Sequence, residues 1–457
     1  MSLPQSLLRS LDKIPGFDKE AFEKVHASGE QITSLRLNPT KRFNIQSSIL
    51  NTAEKIPWND HGYYLPARPS FITDPLIHAG AYYVQEASSM FLEEALKQTV
   101  DLSQPIKILD LCAAPGGKST LIQSIISDSS LLVSNEVIKT RVTILSENIT
   151  KWGAANVVVT NNDPKDFQRL ENYFDVIVVD APCSGSGLFR KDTEAIKEWS
   201  EQNVQLCHQR QQRILADILP ALKESGILIY STCSYSKDED EEICDWLIND
   251  CHLSSHKYFL HPEWNIVETV STKHNAYGYR FYPDKIKGEG FFIAAFKKST
   301  VNISERRINK PRNRSEKISD KEWEILKPLL KKPDNFSFIK LKEEVIAIPS
   351  QFEDELATLQ SALYIKKAGI KLGTVIRDQL IPDHELALST IISTAIPSVD
   401  VDREIALQYL RKEEIKLNTV AKGWVLLTYQ QLPLGWVKIL SNRVNNYYPK
   451  EWRILHK

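Results

Sequence analysis

Six cysteines occur in the chain, all between Cys112 and Cys251. Two of them stand where a thiol can react. Asp180-Ala181-Pro182-Cys183 follows the apolar run Phe174 to Val179, and Ser231-Thr232-Cys233-Ser234 follows Gly226 to Tyr230. Each run reads as a short buried strand, so each cysteine lies at a strand end. The thiolate is the nucleophilic form of cysteine, and an ordinary thiol titrates near ~8.5. A reactive cysteine therefore needs a neighbour that manages its proton. Small or hydroxyl residues flank both Cys183 and Cys233. Cys207, Cys244 and Cys251 fall on helical patterns and read as packing residues. Cys112 leads into Ala113-Ala114-Pro115-Gly116-Gly117-Lys118-Ser119 and reads as packed beneath that turn.

The glycine turn follows one strand and opens a helix at Thr120 to Ile126. Glycines there let the backbone approach a ligand closely. The string is neither the P-loop pattern nor Gly-x-Gly-x-x-Gly. Alone it reads equally as a tight strand-to-helix turn. Glu136 ends the next strand, where an acid can hold ribose hydroxyls. Asp163 follows the third strand and could accept from a base amino group. Either acid could instead cap a helix or face solvent. Their places after successive strands favour a nucleoside ligand, and the lack of a second glycine-rich phosphate site favours one without a pyrophosphate.

A thiolate, a carboxylate and a nucleoside cofactor together suit one reaction. Carbon 5 of a pyrimidine is not nucleophilic unaided. Thiolate addition at carbon 6 makes carbon 5 enamine-like, able to attack a methyl sulfonium. Covalent catalysis thus divides one hard step into easier ones. Asp180 is the candidate to stabilise the adduct. Cys183, as thiolate or through water, could take the proton from carbon 5.

Strands are expected at 106–111, 131–135, 156–160, 174–180, 226–231 and 291–296, with helices between most of them, as at Asn203 to Leu222 and Asp238 to Asn249. This alternation predicts a parallel α/β sheet with helices on both faces. Functional residues then cluster at the carboxyl ends of the strands. The α/β unit spans 101–299. Residues 1–100 form a first unit, with a helical start at Ser6 to Leu11 and a strand in Ile32 to Pro39. Near its end, Tyr83 to Leu92 moves into an amphipathic helix. Lys297, Lys298, Arg306, Arg307, Lys310, Arg312, Arg314 and Lys317 mark a basic linker centred on 300–319. Two small domains follow, at 320–380 and 381–457. In the second, Gly423 to Tyr429 and Leu432 to Lys438 read as two strands joined by a short turn.

The chain's 457 residues suffice for about three domains of ~150 residues. A hydrophobic content of 42% and a net charge of −1 describe an ordinary globular protein. That balance announces no polyanion partner, although a local basic face can still exist. No signal peptide is visible, and no run approaches the ~20 apolar residues of a membrane helix. No Cys-x-x-Cys pair or Cys/His zinc spacing occurs, so neither a metal nor a disulfide framework is expected. Free thiols fit a reducing cytoplasm.

The three strings Leu111-Cys112-Ala113-Ala114-Pro115-Gly116-Gly117-Lys118-Ser119, Asp180-Ala181-Pro182-Cys183-Ser184-Gly185-Ser186-Gly187 and Tyr230-Ser231-Thr232-Cys233-Ser234 together resemble the RNA 5-methylcytosine methyltransferases, which use S-adenosyl-L-methionine. Gly288-Glu289-Gly290-Phe291-Phe292 is similar to that family's closing motif, and Ser34-Leu35-Arg36-Leu37-Asn38-Pro39 to its N-terminal one. Pro283-Asp284 departs from the Pro-His of many members. The resemblance implies a Rossmann-like methyltransferase sheet, an N-terminal α+β RNA-guiding domain and small C-terminal α+β, PUA-like RNA-binding modules. It implies that Cys112, Ala113, Ala114, Pro115, Gly116, Gly117 and Lys118 line the cofactor, with Glu136 on the ribose and Asp163 near the adenine. Asp180 would bridge cofactor and cytosine, Cys233 would attack, and Cys183 would assist release. Spacing does not order the cysteines: in related DNA enzymes the Pro-Cys cysteine attacks.

The tail from Gly423 to Trp452 resembles the RNA-binding end of bacterial enzymes acting on small-subunit ribosomal RNA, which implies a 16S ribosomal RNA partner. Transfer RNA is a rival substrate; an RNA-binding assembly factor and a two-thiol oxidoreductase are rivals of other classes. Lys438, Arg443, Lys450 and Arg453 could meet phosphates, and Trp436, Tyr447 and Tyr448 could stack on splayed bases. A monomer is the expectation.

Overall fold

The computed structural model describes residues 3–43, 50–299 and 316–455. Residues 300–315, most of the expected basic linker, lie outside the described residues.

A ten-stranded mixed sheet positions the site. Its middle is parallel: Leu222–Thr232, Phe174–Asp180, Lys107–Asp110, Leu131–Asn135 and Val157–Thr160 lie in that order. Side chains alternate across these strands. Leu109, Val133, Val158, Ile177 and Leu228 join one apolar cluster, while Ile108, Leu132, Val157, Val176 and Ile227 join the other. Both faces are covered, so the strands read as continuous apolar runs. Helix Glu201–Ile218 buries Val204, Cys207, Ile214, Leu215 and Ile218 at helical spacing. Helix Lys139–Trp152 buries Val142, Leu145, Ile149 and Trp152 on the other side.

The flanks of the sheet depart from the parallel expectation. Phe291–Lys298 runs antiparallel to Leu222–Thr232, and Leu253–His256 and Tyr277–Phe281 pair antiparallel to it. At the opposite edge Ile365–Ala368 pairs antiparallel with Val157–Thr160. That last strand comes from beyond residue 320, so the C-terminal region completes the catalytic sheet.

Three local differences have visible causes. Tyr82–Val84 is a strand paired with Thr33–Leu37, and the helix starts only at Ser88. The Glu86 carboxylate sets that start by accepting from the Ser88 and Ser89 amides, each at 2.9 Å. The helix expected to reach Leu222 ends at Ile218, because Pro220 cannot continue it and Leu222 already pairs with Phe174. The next helix begins at Glu241, since Asp238 and Asp240 lie in the turn before it.

The N-terminal sheet and the last sheet share one core. Leu35, Leu37, Leu76 and Tyr82 pack with Leu407, Tyr409, Val425, Leu434 and Val437. In that last sheet Gly423–Tyr429 and Leu432–Ile439 pair antiparallel as expected. The helical start Gln5–Leu11 packs elsewhere, with Phe22, Phe189, Tyr235 and Tyr282 against the catalytic unit.

Candidate active site

The parallel strands deliver their carboxyl ends to one edge of the sheet, and the candidate residues collect there. Phe174–Asp180 hands on to Cys183, and Leu222–Thr232 to Cys233. The two Sγ atoms lie 3.0 Å apart. Both cysteines are half-buried. The contact with Cys233 first, then burial and the Glu239 charge, push the Cys183 thiol well above its ordinary value. Burial also pushes Cys207 and Cys251 up to about 11, and Cys112 and Cys244 upward as well.

Asp180 sits between the cysteine loops and the glycine turn. Its Oδ2 lies 2.7 Å from Lys118 Nζ, and its Oδ1 accepts from Ser231 Oγ at 2.8 Å. Burial opposes the Lys118 charge, but Asp180 outweighs it and raises the ammonium group above its ordinary value. Lys118 also stands 5.2 Å from the centre of the Phe291 ring. The Pro182-Cys183 loop, the Thr232-Cys233 loop and the glycine turn thus meet at the Asp180–Lys118 pair, with Phe291 beside Lys118.

The glycine turn packs closely on helix Lys139–Trp152. The Ala114–Pro115 peptide is cis, and Gly116 has φ +117°. A Cβ at Gly116 would come within 3.3 Å of Leu145 and 3.4 Å of Asn148. Helix Gly117–Ile125 starts there without a side-chain cap, which leaves its first N–H groups free of a local acceptor. Asp110 is buried beneath the turn. Burial pushes its carboxyl up to about 7 against the opposing Ser119 hydrogen bond of 2.6 Å.

Glu136 is buried at the end of its strand, accepts from the Ile138 amide at 2.8 Å and lies 3.4 Å from Arg141. Arg141 in turn donates to the Ala114 carbonyl at 2.7 Å. Glu136 and the turn are therefore one assembly. Asp163 is less committed. It follows the third strand, but its carboxylate caps the turn Pro164–Arg169 and lies 3.5 Å from Arg213. A nucleoside ligand fits this set: an uncapped helix start after the glycine turn, a buried acid at the neighbouring strand end, and a further acid beyond it.

Several site residues escaped the sequence reading. Asn135 ties three strand ends together, donating to Leu111 and Asn162 carbonyls and accepting from Thr160 and the Asn162 amide. Arg36 reaches from the N-terminal unit into the glycine-turn helix. It donates to Thr120 at 2.7 Å, Ser124 at 3.0 Å and the Gly117 carbonyl at 3.3 Å. Glu239 lies fully buried behind both cysteine loops. Its acidic surroundings, Asp238 to Glu242, resemble a solvated helix start, and that masked it.

The expected base-stacking aromatics need correction. Trp436 is 2% exposed and its indole donates to the Asp383 carbonyl at 2.8 Å; Tyr448 is 1% exposed. Both are core residues and cannot stack on a base. Tyr447 is exposed and packs edge-on to Trp424. Arg443, Lys450 and Arg453 are exposed as expected. Among the described residues no group of three or more His, Cys, Asp or Glu is placed to hold a metal ion, and no helix is long and apolar enough to cross a membrane.

Comparison with known proteins matches three segments of the chain. Residues 97–297 match the family described as 16S rRNA methyltransferase RsmB/F. Residues 396–454 match the methyltransferase RsmF PUA domain, and 3–87 the N-terminal domain of 16S rRNA methyltransferase RsmF. The Ribosomal RNA small subunit methyltransferase F of Psychromonas ingrahamii is 31% identical over 450 residues, covering 92% of this chain and 90% of the relative. Its counterpart in Vibrio cholerae is 28% identical over 472 residues, covering 99% and 98%. Among solved structures, a methyltransferase homologue from Pyrococcus horikoshii aligns with TM-score 0.51 at 25% identity, covering 65% of this chain and all of that one. NSun6 from Pyrococcus horikoshii aligns with TM-score 0.54 at 17% identity, over 65% and 99%, a likeness of fold. By its sequence across nearly its whole length, and by the fold that carries the site, the chain belongs to the RsmB/F family of 16S rRNA methyltransferases.

Proposed function

We propose that this methyltransferase acts on carbon 5 of a cytosine in 16S ribosomal RNA, through a covalent bond between Cys233 and carbon 6. One observation carries the reading: two cysteine sulfurs 3.0 Å apart beside the Asp180–Lys118 pair, at the end of the sheet that also carries the glycine turn. S-adenosyl-L-methionine supplies an electrophilic methyl group when bound. Residues 112–118 and Glu136 would hold it, with Asp163 as a further candidate contact.

The residues divide the remaining work. The RNA must present its cytosine unstacked, at a cost of a few kcal/mol. Binding by the N-terminal unit and the PUA domain offsets that cost. The Cys233 thiolate adds to carbon 6, forming the C–S bond and making carbon 5 electron-rich. Asp180, held by Lys118 and Ser231, stabilises the ring through its nitrogen edge. The resemblance to RNA 5-methylcytosine methyltransferases supports giving attack to Cys233 and proton removal to Cys183. Once carbon 5 carries the methyl group, Cys183, as thiolate or through water, takes the proton from carbon 5. The C–S bond breaks and Cys233 leaves as thiolate.

The test is transfer of labelled methyl groups into 16S ribosomal RNA, followed by digestion to nucleosides. Label in 5-methylcytidine supports the reading. Label in any other nucleoside, or in transfer RNA alone, contradicts it.

A further inference from the structure

We infer that Glu239 is a positioning residue that holds the two cysteine loops in register and so sets the spacing between the sulfurs. Both cysteines are followed by serine, and one carboxylate accepts from both serines. The Ser184 amide donates to Glu239 Oε1 at 2.8 Å and the Ser184 hydroxyl to Oε2 at 2.5 Å. The Ser234 hydroxyl donates to Oε2 at 2.6 Å. No other side chain among the described residues is hydrogen-bonded to both Ser184 and Ser234.

The clamp is itself anchored. Gln211, from helix Glu201–Ile218, donates to Glu239 at 3.2 Å and to the Pro182 carbonyl at 3.1 Å. Tyr230, on the strand that leads to Cys233, donates to the Glu239 carbonyl at 2.6 Å. Backbone bonds finish the assembly: the Gly187 amide donates to the Cys233 carbonyl at 2.9 Å, and the Tyr235 amide to Ser186 Oγ at 2.9 Å. A carboxylate receiving four hydrogen bonds in a buried site is stiff, because losing any one leaves a polar group without water. Glu239 touches neither sulfur by hydrogen bond, and it acts through the residues next to them.

Glutamine can do the same work. Its carbonyl can accept from the Ser184 amide and Gln211, while its amide donates to the two hydroxyls, which rotate to accept. Alanine cannot. The inference rests on the assignment of the two cysteines to one site, so its test includes a readout that needs no RNA and no methyl donor. Diamide, a diazene, takes two electrons and two protons from a pair of thiols, leaving a disulfide and a hydrazine. Bridging of Cys183 to Cys233 in the otherwise untreated full-length chain is followed by intact mass and peptide mapping.

The wild type and Glu239→Gln are expected to bridge at similar rates, and Glu239→Ala at least ~10-fold more slowly, as roughly 1 Å of misplacement can cost ~100-fold in a reaction between fixed groups. Methyl transfer should follow the same order, with kcat rather than KM for RNA affected. Equal bridging in Glu239→Ala and wild type overturns the inference, and so does an equal loss in Glu239→Gln and Glu239→Ala. Should Glu239→Ala fail to fold, the Ser184→Ala/Ser234→Ala double variant removes the hydroxyl arms instead. Wild-type bridging in that variant overturns the inference, and slowed bridging supports it. Bridging that follows this order without methylation of cytosine would leave the clamp standing and remove the proposed reaction.

Discussion

The cysteine half and the cofactor half of the site are braced from different places. Behind the cysteines, Glu239, Gln211 and Tyr230 all belong to the catalytic unit, as does the Asp240–Glu241–Arg280 group beside them. The glycine turn is held from within by Arg141 and Asn148, and the helix that follows it is braced from outside by Arg36 of the N-terminal unit. Arg36 is 1% exposed, lies 4.6 Å from the centre of the Trp152 ring and is fixed in turn by Gln85 at 3.0 Å. The contrast teaches that the hydrogen bonds setting the reacting sulfurs come from within the catalytic unit, whereas the helix after the glycine turn also takes hydrogen bonds from the unit proposed to guide RNA. Substitutions on the two sides should therefore fail differently.

The largest effect is expected for Cys233→Ala, which should leave no detectable methyl transfer while cofactor affinity by calorimetry stays at the wild-type value. Retained turnover would remove Cys233 as nucleophile. Arg36→Ala should do the reverse. It strips several buried hydrogen bonds and should destabilise the fold by about 3 kcal/mol in chemical denaturation. Cofactor affinity should fall by roughly tenfold, equivalent to about 1.4 kcal/mol, while diamide bridging of the cysteines is unaffected. A bridging defect in Arg36→Ala would erase the distinction between the halves.

Asp163→Ala should weaken cofactor binding only a few-fold and cost about 1 kcal/mol through the lost cap. Unchanged affinity by calorimetry would take Asp163 out of the cofactor site. The smallest effect concerns Glu289. Burial pushes its carboxyl up to about 7, against the opposing charge of Arg190. The folded state thus holds a proton that the unfolded chain releases near 4.5. The sign follows from proton counting: stability from this group is full below about 4.5 and is lost as pH rises toward 7. Glu289→Gln should flatten that slope in melting temperature between pH 5 and 7. An unchanged slope would mean that Glu289 ionises normally.

The sequence exposed those parts of the molecule that repeat a simple physical pattern. Strands buried on both faces are continuous apolar runs, so Phe174–Asp180 and Leu131–Asn135 were legible, and so was the edge where their ends meet. Cys183, Cys233, Asp180 and the glycine turn could be read because each follows such a run. The bracing residues could not. Arg36 meets Thr120 across 84 positions, and Glu239 meets Ser184 across 55, and no local periodicity encodes either pairing. The strand Ile365–Ala368 was hidden for the same reason: only the tertiary fold brings it to the edge at Val157–Thr160. Trp436 and Tyr448 show the converse error, since an aromatic residue in a strand or just beyond one looks the same whether it faces RNA or core.

The central claim is the division of labour between the two sulfurs, and one gel tests it most directly. Cys183→Ala, incubated with the RNA and S-adenosyl-L-methionine and then run under denaturing conditions, should accumulate a protein–RNA adduct. The adduct should vanish in the Cys183→Ala/Cys233→Ala double variant. An adduct that persists without Cys233, or that accumulates in Cys233→Ala rather than in Cys183→Ala, would contradict the account.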